Sequence, residues 1–205
     1  MRFDFLKNIA VFVLVCILMQ SCSVPHFVFK NPQQVTGINF AEGSYLLGRI
    51  DVPAFSTKRI EELSLKNFEK KIGSKFSYAP IAKGVLLGQG DIALKPGVVV
   101  LKNLYKSTKF DFYINIKSKV LRSEIGYIDI SPRESRNERN MNSIEMSLEI
   151  YDLKTATTLY SQTIVGIVSQ NTGSSDVTFS KSHAELISAG FKRLFADLDK
   201  RSINY

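Results

Sequence analysis

The sequence predicts an α+β domain, a mixed or mainly antiparallel sheet packed with amphipathic helices as a two-layer or three-layer sandwich. Three observations predict it. Apolar residues recur at amphipathic helix spacing in two separate stretches, Ile60 to Ile72 and, at alternating three- and four-residue steps, Ala184 to Leu198. Apolar and polar residues alternate at two-residue steps from Phe112 to Val120 and from Ser143 to Ile150. Helical stretches separate the early strands, whereas two late strands face each other across a short turn. The 205 residues fit one domain, and 44% hydrophobic with 22% charged residues excludes a wholly disordered chain. Two Cys exclude a disulfide-dense scaffold and a cysteine-only zinc site, and two His leave little for a histidine-rich metal centre. No cofactor is expected. A formal charge of +8 permits contact with anionic polymers or lipid headgroups.

The N-terminus has the pattern of an export signal. Arg2, Asp4 and Lys7 precede an uncharged apolar run from Ile9 to Met19. As a helix the run rises only about 16 Å, too short for a hydrocarbon core of about 30 Å. Leu18-Met19-Gln20-Ser21-Cys22 follows, with a small residue directly before the cysteine. This resembles the lipobox of bacterial lipoproteins, with Met19 and Gln20 standing where that family prefers Leu and a small residue. The resemblance implies that residues 1–21 are a signal peptide and that Cys22 becomes the acylated first residue. Cys22 would then be the last cysteine left, and acylation accounts for a thiol with no disulfide partner. Ser23 and Val24 carry no acidic retention signal, which favours an outer-membrane, periplasm-facing location. Residues 22–43, with Pro25, Pro32 and Gly37, are expected to form the lipidated N-terminus and a tether. Phe27-Val28-Phe29 stands out there, as a segment that packs on the domain or meets lipid.

The domain is expected over 44–205. Tyr45 to Val52 predicts a strand ended by Pro53. Ser56 or Thr57 is the candidate cap of a helix carrying Ile60, Leu63, Phe68 and Ile72, with early acids, late lysines and Gly73 as C-cap. Phe76 to Ile81 predicts a short strand, and Val98 to Tyr105 a helix despite its three valines. Lys109 to Val120 predicts a strand with one core face. Ser131 to Asn142 is strongly polar and predicts a solvated loop. Ser143–Ile150 and Leu159–Val168 form a hairpin across Asp152–Thr155, and Asn171–Asp176 is a loop. Ser182-His183-Ala184-Glu185 is a capping-box sequence opening the last helix, whose buried stripe is Ala184, Ile187, Phe191, Leu194 and Leu198.

Leu104-Tyr105-Lys106, Phe110-Asp111-Phe112, Tyr151-Asp152-Leu153-Lys154-Thr155, Ile164-Val165-Gly166 and the closing helix together resemble periplasmic lipoprotein domains. The relevant groups are the curli-secretion lipoprotein and the lipoprotein activators of penicillin-binding proteins. Asp111 is followed here by Phe112 where those domains often have Asp-Tyr. The resemblance implies an architecture and an envelope setting, and brings no catalytic residue.

The residue types that chemistry needs are sparse. Gly84, Gly88 and Gly90 lack the Gly-Lys-Ser/Thr ending of a nucleotide-triphosphate loop, so turns are expected. His26 and His183 have no positioned nucleophile in sequence. Glu145 and Glu149 share one strand face. Such a pair can serve glycoside hydrolysis, but a solvent-facing sheet surface is the expectation. Arg133, Arg136 and Arg139, with Tyr113 and Tyr127, are candidate contact residues for a partner. The function expected is a lipid-anchored, non-enzymatic accessory or scaffold protein of an envelope or secretion assembly. Its partners would be membrane lipid through acylated Cys22, an envelope protein and, in one variant, a second copy of itself, with no nucleic acid. A carrier or chaperone for lipid or a small apolar ligand is the alternative, and an envelope enzyme the second alternative.

Overall fold

The computed structural model describes residues 24–31, 38–81, 92–123, 140–170 and 182–203. The Gly84–Gly90 stretch, the Arg133–Arg139 stretch and the Asn171–Asp176 loop lie outside the described residues. Among those described, the strands are β1 (His26–Phe29), β2 (Tyr45–Leu47), β3 (Phe76–Tyr78), β4 (Phe112–Ser123), β5 (Asn140–Asp152) and β6 (Thr157–Gln170). The helices are α1 (Ala54–Ile72), α2 (Val98–Thr108) and α3 (His183–Arg201). Side by side the strands run β1-β6-β5-β4-β2-β3. β2 is parallel to both β3 and β4, and the other pairs are antiparallel. This is the expected α+β domain with a mixed, mainly antiparallel sheet.

The layering follows from connection handedness. The chain passes from β2 through α1 to β3 on one side, then through α2 back to β4 on the other. Both crossovers join parallel strands, and such crossovers are right-handed. Reversing direction therefore puts α1 and α2 on opposite faces. α3 returns to the α1 face and lies over β5 and β6. The domain is thus three layers deep, helix–sheet–helix, around β2 and β4.

The larger core lies between the sheet and α1 with α3. Ile114, Ile116, Ile144, Met146, Leu148, Ile150 and Ile164 point into it from the sheet, against Ile60 and Phe68 of α1 and Ile187, Phe191 and Leu194 of α3. Phe68 meets Phe195 edge-on, with centroids 5.3 Å apart, joining the two helices. Burying a side chain such as Phe191 contributes about 1.5–3 kcal/mol. The smaller core holds Leu46, Leu101, Leu104, Tyr113, Tyr151 and Leu153 beneath α2.

Several boundaries differ from expectation. α1 starts directly after Pro53, and Ser56 is a buried residue inside the helix rather than its cap. Pro53 lacks an N–H and its fixed φ leads straight into the helix. Gly73 does end α1, at φ 70°, where a residue without Cβ fits. α3 opens with the expected capping box, Ser182 and Glu185 each bonding the other's backbone. β4 does not have one core face: Tyr113 and Asn115 are as buried as Ile114 and Ile116, because α2 covers their side.

In the lead segment, Phe27-Val28-Phe29 takes the first of its two expected placements and packs on the domain. β1 adds to the free side of β6, His26 opposite Ile167 and Phe29 opposite Ile164, and Phe27 and Phe29 pack on the larger core. Further on, Ile38 and Phe40 are buried, and the Ile203 N–H bonds the Ile38 carbonyl at 2.8 Å. Both flanks of the expected tether are therefore part of the domain, since each has apolar side chains that water would otherwise surround.

One close approach is testable. A Cβ at Gly48 would overlap the hydroxyl and ring of Tyr113. Gly48→Ala is expected to lower unfolding stability by about 1–3 kcal/mol through overpacking, and less in a Tyr113→Phe background. Urea denaturation of both single variants and the double variant measures this. Equal penalties in the two backgrounds would contradict it.

Candidate functional site

The face of β4, β5 and β6 turned away from α1 and α3 holds a cluster of hydrogen-bonded and ion-paired polar side chains. It arises because the period-two alternation places Ser143, Glu145, Ser147 and Glu149 together on that face. Antiparallel pairing then sets Ser147 opposite Thr163 on the same sheet, in the strict sense of a side-chain hydrogen bond: their hydroxyl oxygens lie 2.8 Å apart. Glu149 is registered with Ser161.

Glu149 is 2% exposed, so the expected solvent-facing surface is corrected here. Its Oε1 accepts from the Ser161 hydroxyl at 3.0 Å. Its Oε2 accepts from the Tyr151 hydroxyl and from the Lys95 backbone N–H, the latter at 3.1 Å. Burial, reinforced by the bond to Glu149, pushes the Tyr151 phenol well above its ordinary pKa, so it stays protonated and donates. Next to it the Asn115 amide donates to the carbonyls of Ile92 and Ala93, at 3.1 and 3.2 Å. The two side chains clamp segment 92–95 to the sheet just before α2. Buried polar groups need such partners, and here side-chain hydroxyls and backbone both supply them.

Glu145 lies further along the same face. It pairs with Lys30, at the end of β1, and with Lys119 of β4 at 2.9 Å. Lys30 chiefly, then Lys119, holds its carboxyl below the usual range. Near the start of β4, Asp111 accepts from the Ser44 N–H at 2.8 Å and pairs with Lys154 at 2.7 Å. That carboxyl is also held low, chiefly by Lys154, with Ser44 adding.

The sequence-predicted residues are not brought together. Tyr113 is 2% exposed inside the α2 layer, so its ring is not presented to a partner. Cys22, Tyr127, Arg133, Arg136 and Arg139 lie outside the described residues. His183 sits at the start of α3, where its Nε2 is 2.9 Å from the Arg122 carbonyl oxygen. His26 opens β1. No group of three or more His, Cys, Asp or Glu placed to hold a metal occurs among the described residues. An open cleft of about 360 Å³ lies at the other end of α1, lined by Phe40, Lys70, Lys71, Ile72, Lys75 and Ile203 among others. Lys71 there pairs with Asp199, and Lys75 donates to the Ala41 carbonyl. Sequence reasoning missed the Glu149 clamp. Aligning the hairpin on its turn offers a signal, because it sets Glu149 against Ser161.

No protein-family model matches the chain, and no curated protein matches it in sequence. Among solved structures, the chain is similar to a PelC dodecamer subunit from Paraburkholderia phytofirmans, at 7% identity and TM-score 0.48, over 88% of this chain and 100% of that one. It is similar to lipoprotein GNA1162 from Neisseria meningitidis, at 10% identity and TM-score 0.42, over 76% and 99%. It is also similar to the hypothetical protein CT253 from Chlamydia trachomatis, at 10% identity and TM-score 0.36, over 78% and 95%. These likenesses bear on no residue described above.

Two outcomes follow. Glu149→Ala strands buried hydroxyl and N–H donors and is expected to cost about 1–3 kcal/mol for each. Chemical denaturation reads the loss, and a stability change within error would rule out the clamp. Asp111 and Glu145 have lowered folded pKa values, so between folded and unfolded values the unfolded chain binds more protons. Their contribution is full above the unfolded carboxylate range and disappears as pH falls through the folded values. Urea midpoints should therefore drop on acidification below about pH 5. The drop should be shallower in Asp111→Asn, and an unchanged slope in that variant contradicts the assignment.

Proposed function

We propose that the chain is a lipid-anchored accessory or scaffold protein of a bacterial cell envelope, acting by protein–protein contact. Acylation of Cys22 holds it, and the outer membrane is the membrane proposed. The observation that carries the reading is the spacing at the N-terminus. An apolar run too short to span a bilayer ends at Met19, Gln20-Ser21-Cys22 follows it, and the first described strand begins at His26. A cysteine so close to the start of the domain suits attachment better than a role in the core.

A second observation supports the non-enzymatic part. Glu149, Glu145 and His183, the groups that acid–base chemistry would draw on, are each committed to partners within the fold. The mechanism is local concentration: confinement to a membrane raises the effective concentration of the domain at any partner in that membrane. Arg133, Arg136, Arg139 and Tyr127 are the proposed contact residues. They belong to the connection between β4 and β5, whose flanking residues Ser123 and Asn142 are paired with each other.

Mass spectrometry of the mature protein should find an N-terminal Cys22 carrying acyl chains. Cys22→Ala should release the chain from the membrane fraction. An unmodified chain beginning before Cys22 contradicts the anchor. Crosslinking in intact cells should capture a partner, and neutralising Arg133, Arg136 and Arg139 together should weaken that capture. An unchanged set of crosslinks removes the interface, and turnover of a substrate by the purified domain overturns the non-enzymatic assignment.

A further inference from the structure

We infer that one pole of the domain is a lipid-facing surface, on which Phe55 and Leu121 enter the bilayer interface beside the acylated N-terminus. The inference rests on the proposed acylation of Cys22 and adds an orientation to it.

Among the described residues, six element ends lie at or near this pole. β4 ends there at Ser123 and β5 begins there. β6 ends there at Gln170, and β1 starts only a short way down, with His26 opposite Ile167. α1 and α3 both begin there: the His183 ring is 6.4 Å from the Phe55 ring, and its Nε2 is 2.9 Å from the Arg122 carbonyl oxygen. The helix starts therefore meet the upper end of β4.

Two large apolar side chains are spent on solvent at this pole. Phe55, in the first turn of α1, is 59% exposed, and Leu121 is 44% exposed. Leu121 falls where the β4–β5 register shifts between Val120 and Arg122, so it is left out of the pairing. Val24, leading into β1, is 75% exposed. Lys58 and Arg59 lie beside them, because α1 starts at Ala54 with no acidic residue in its first turn, and the acids expected early in the helix, Glu61 and Glu62, fall further in. Arg59 is 3.8 Å from Glu62, and Glu185 stands in the first turn of α3. Apolar side chains flanked by cations suit an anionic bilayer interface, where the rings and alkyl groups leave water and the cations meet headgroups.

The length of chain at the N-terminus says what covers this surface. Cys22 is two residues from Val24, a reach of about 7 Å at full extension. β1 is three strand spacings from β4, about 14 Å across the sheet. With its acyl chains in the bilayer, Cys22 keeps the start of β1 at the membrane, and Phe55 and Leu121 set which way the domain stands. The cleft beside Ile203, at the opposite pole, then faces away from the membrane.

The chain contains no Trp, so a single introduced Trp reports alone. The acylated full-length mature protein is reconstituted in phosphatidylethanolamine–phosphatidylglycerol vesicles containing a lipid brominated on its acyl chains. Three variants are compared: Phe55→Trp, Leu121→Trp and, at the opposite pole, Ile203→Trp. The first two should shift to the blue on transfer from detergent and be quenched by the brominated lipid, while Ile203→Trp should change little. Two reporters keep the test open if one variant fails to fold. Acylated, vesicle-bound protein in which Phe55→Trp and Leu121→Trp are quenched no more than Ile203→Trp overturns the orientation and leaves the anchor standing. A blue shift without quenching marks a protein contact, such as a second copy of this chain, and also overturns it. Protein from native membranes with unmodified Cys22 overturns the anchor and this surface together.

Discussion

The register of β4 against its two neighbours is the constraint on which the rest of the structure depends. β4 is the seam between two kinds of sheet, parallel to β2 and antiparallel to β5. A slip of one residue on either side would turn its alternating side chains to the wrong layers. Asp111 stands at the head of that seam. Its carboxylate takes the Ser44 N–H and the Lys154 ammonium, its carbonyl takes the Leu153 N–H, and its own N–H reaches the Ser44 carbonyl. The approach to β2, the start of β4 and the β5–β6 turn are tied to one residue. From there the pairing runs from Phe112 opposite Asp152 to Ser123 opposite Asn142.

That register produces two unlike faces. One carries branched apolar side chains against α1 and α3, which need only volume and shape. The other carries Glu145, Ser147, Glu149, Tyr151 and Asn115, which need partners wherever α2 and its approach exclude water. The partners come from the hairpin itself, through Ser161 and Thr163, and from backbone of segment 92–95. Polar residues on this face therefore work as joints between layers, and their cost of burial is offset by bonds that place α2.

The lead segment shows how an edge strand changes the meaning of a short link. A free edge of β6 would expose unpaired N–H and C=O groups. β1 covers it, and the Gln162 side chain, fully buried, extends the pairing to Asn31 through bonds to its N–H and carbonyl. Anything attached just before β1 is consequently attached to the sheet, with little slack. Under the proposed acylation, a cysteine four residues ahead of such a strand would set both the distance and the sense in which the domain meets the membrane.

The sequence by itself determined the elements whose cause is local. The stripe from Ala184 to Leu198 and the Ser182–Glu185 box define α3, because helix period and capping are settled within a few residues. Gly73 ends α1 for an equally local reason, its positive φ. The late hairpin follows from alternation around Asp152 and Thr155, and the α+β class from the order of these pieces. What only the tertiary structure decided is which polar faces are covered. Asn115 and Glu149 have the alternation of solvent-facing residues, and nothing beside them in sequence announces that α2 and residues 92–95 will lie on top. Phe27 and Phe29 have too short a run for periodicity to choose between lipid, solvent and a sheet edge. That choice depended on β6 having an unpaired side, and burial of this kind belongs to contacts between residues far apart in the chain.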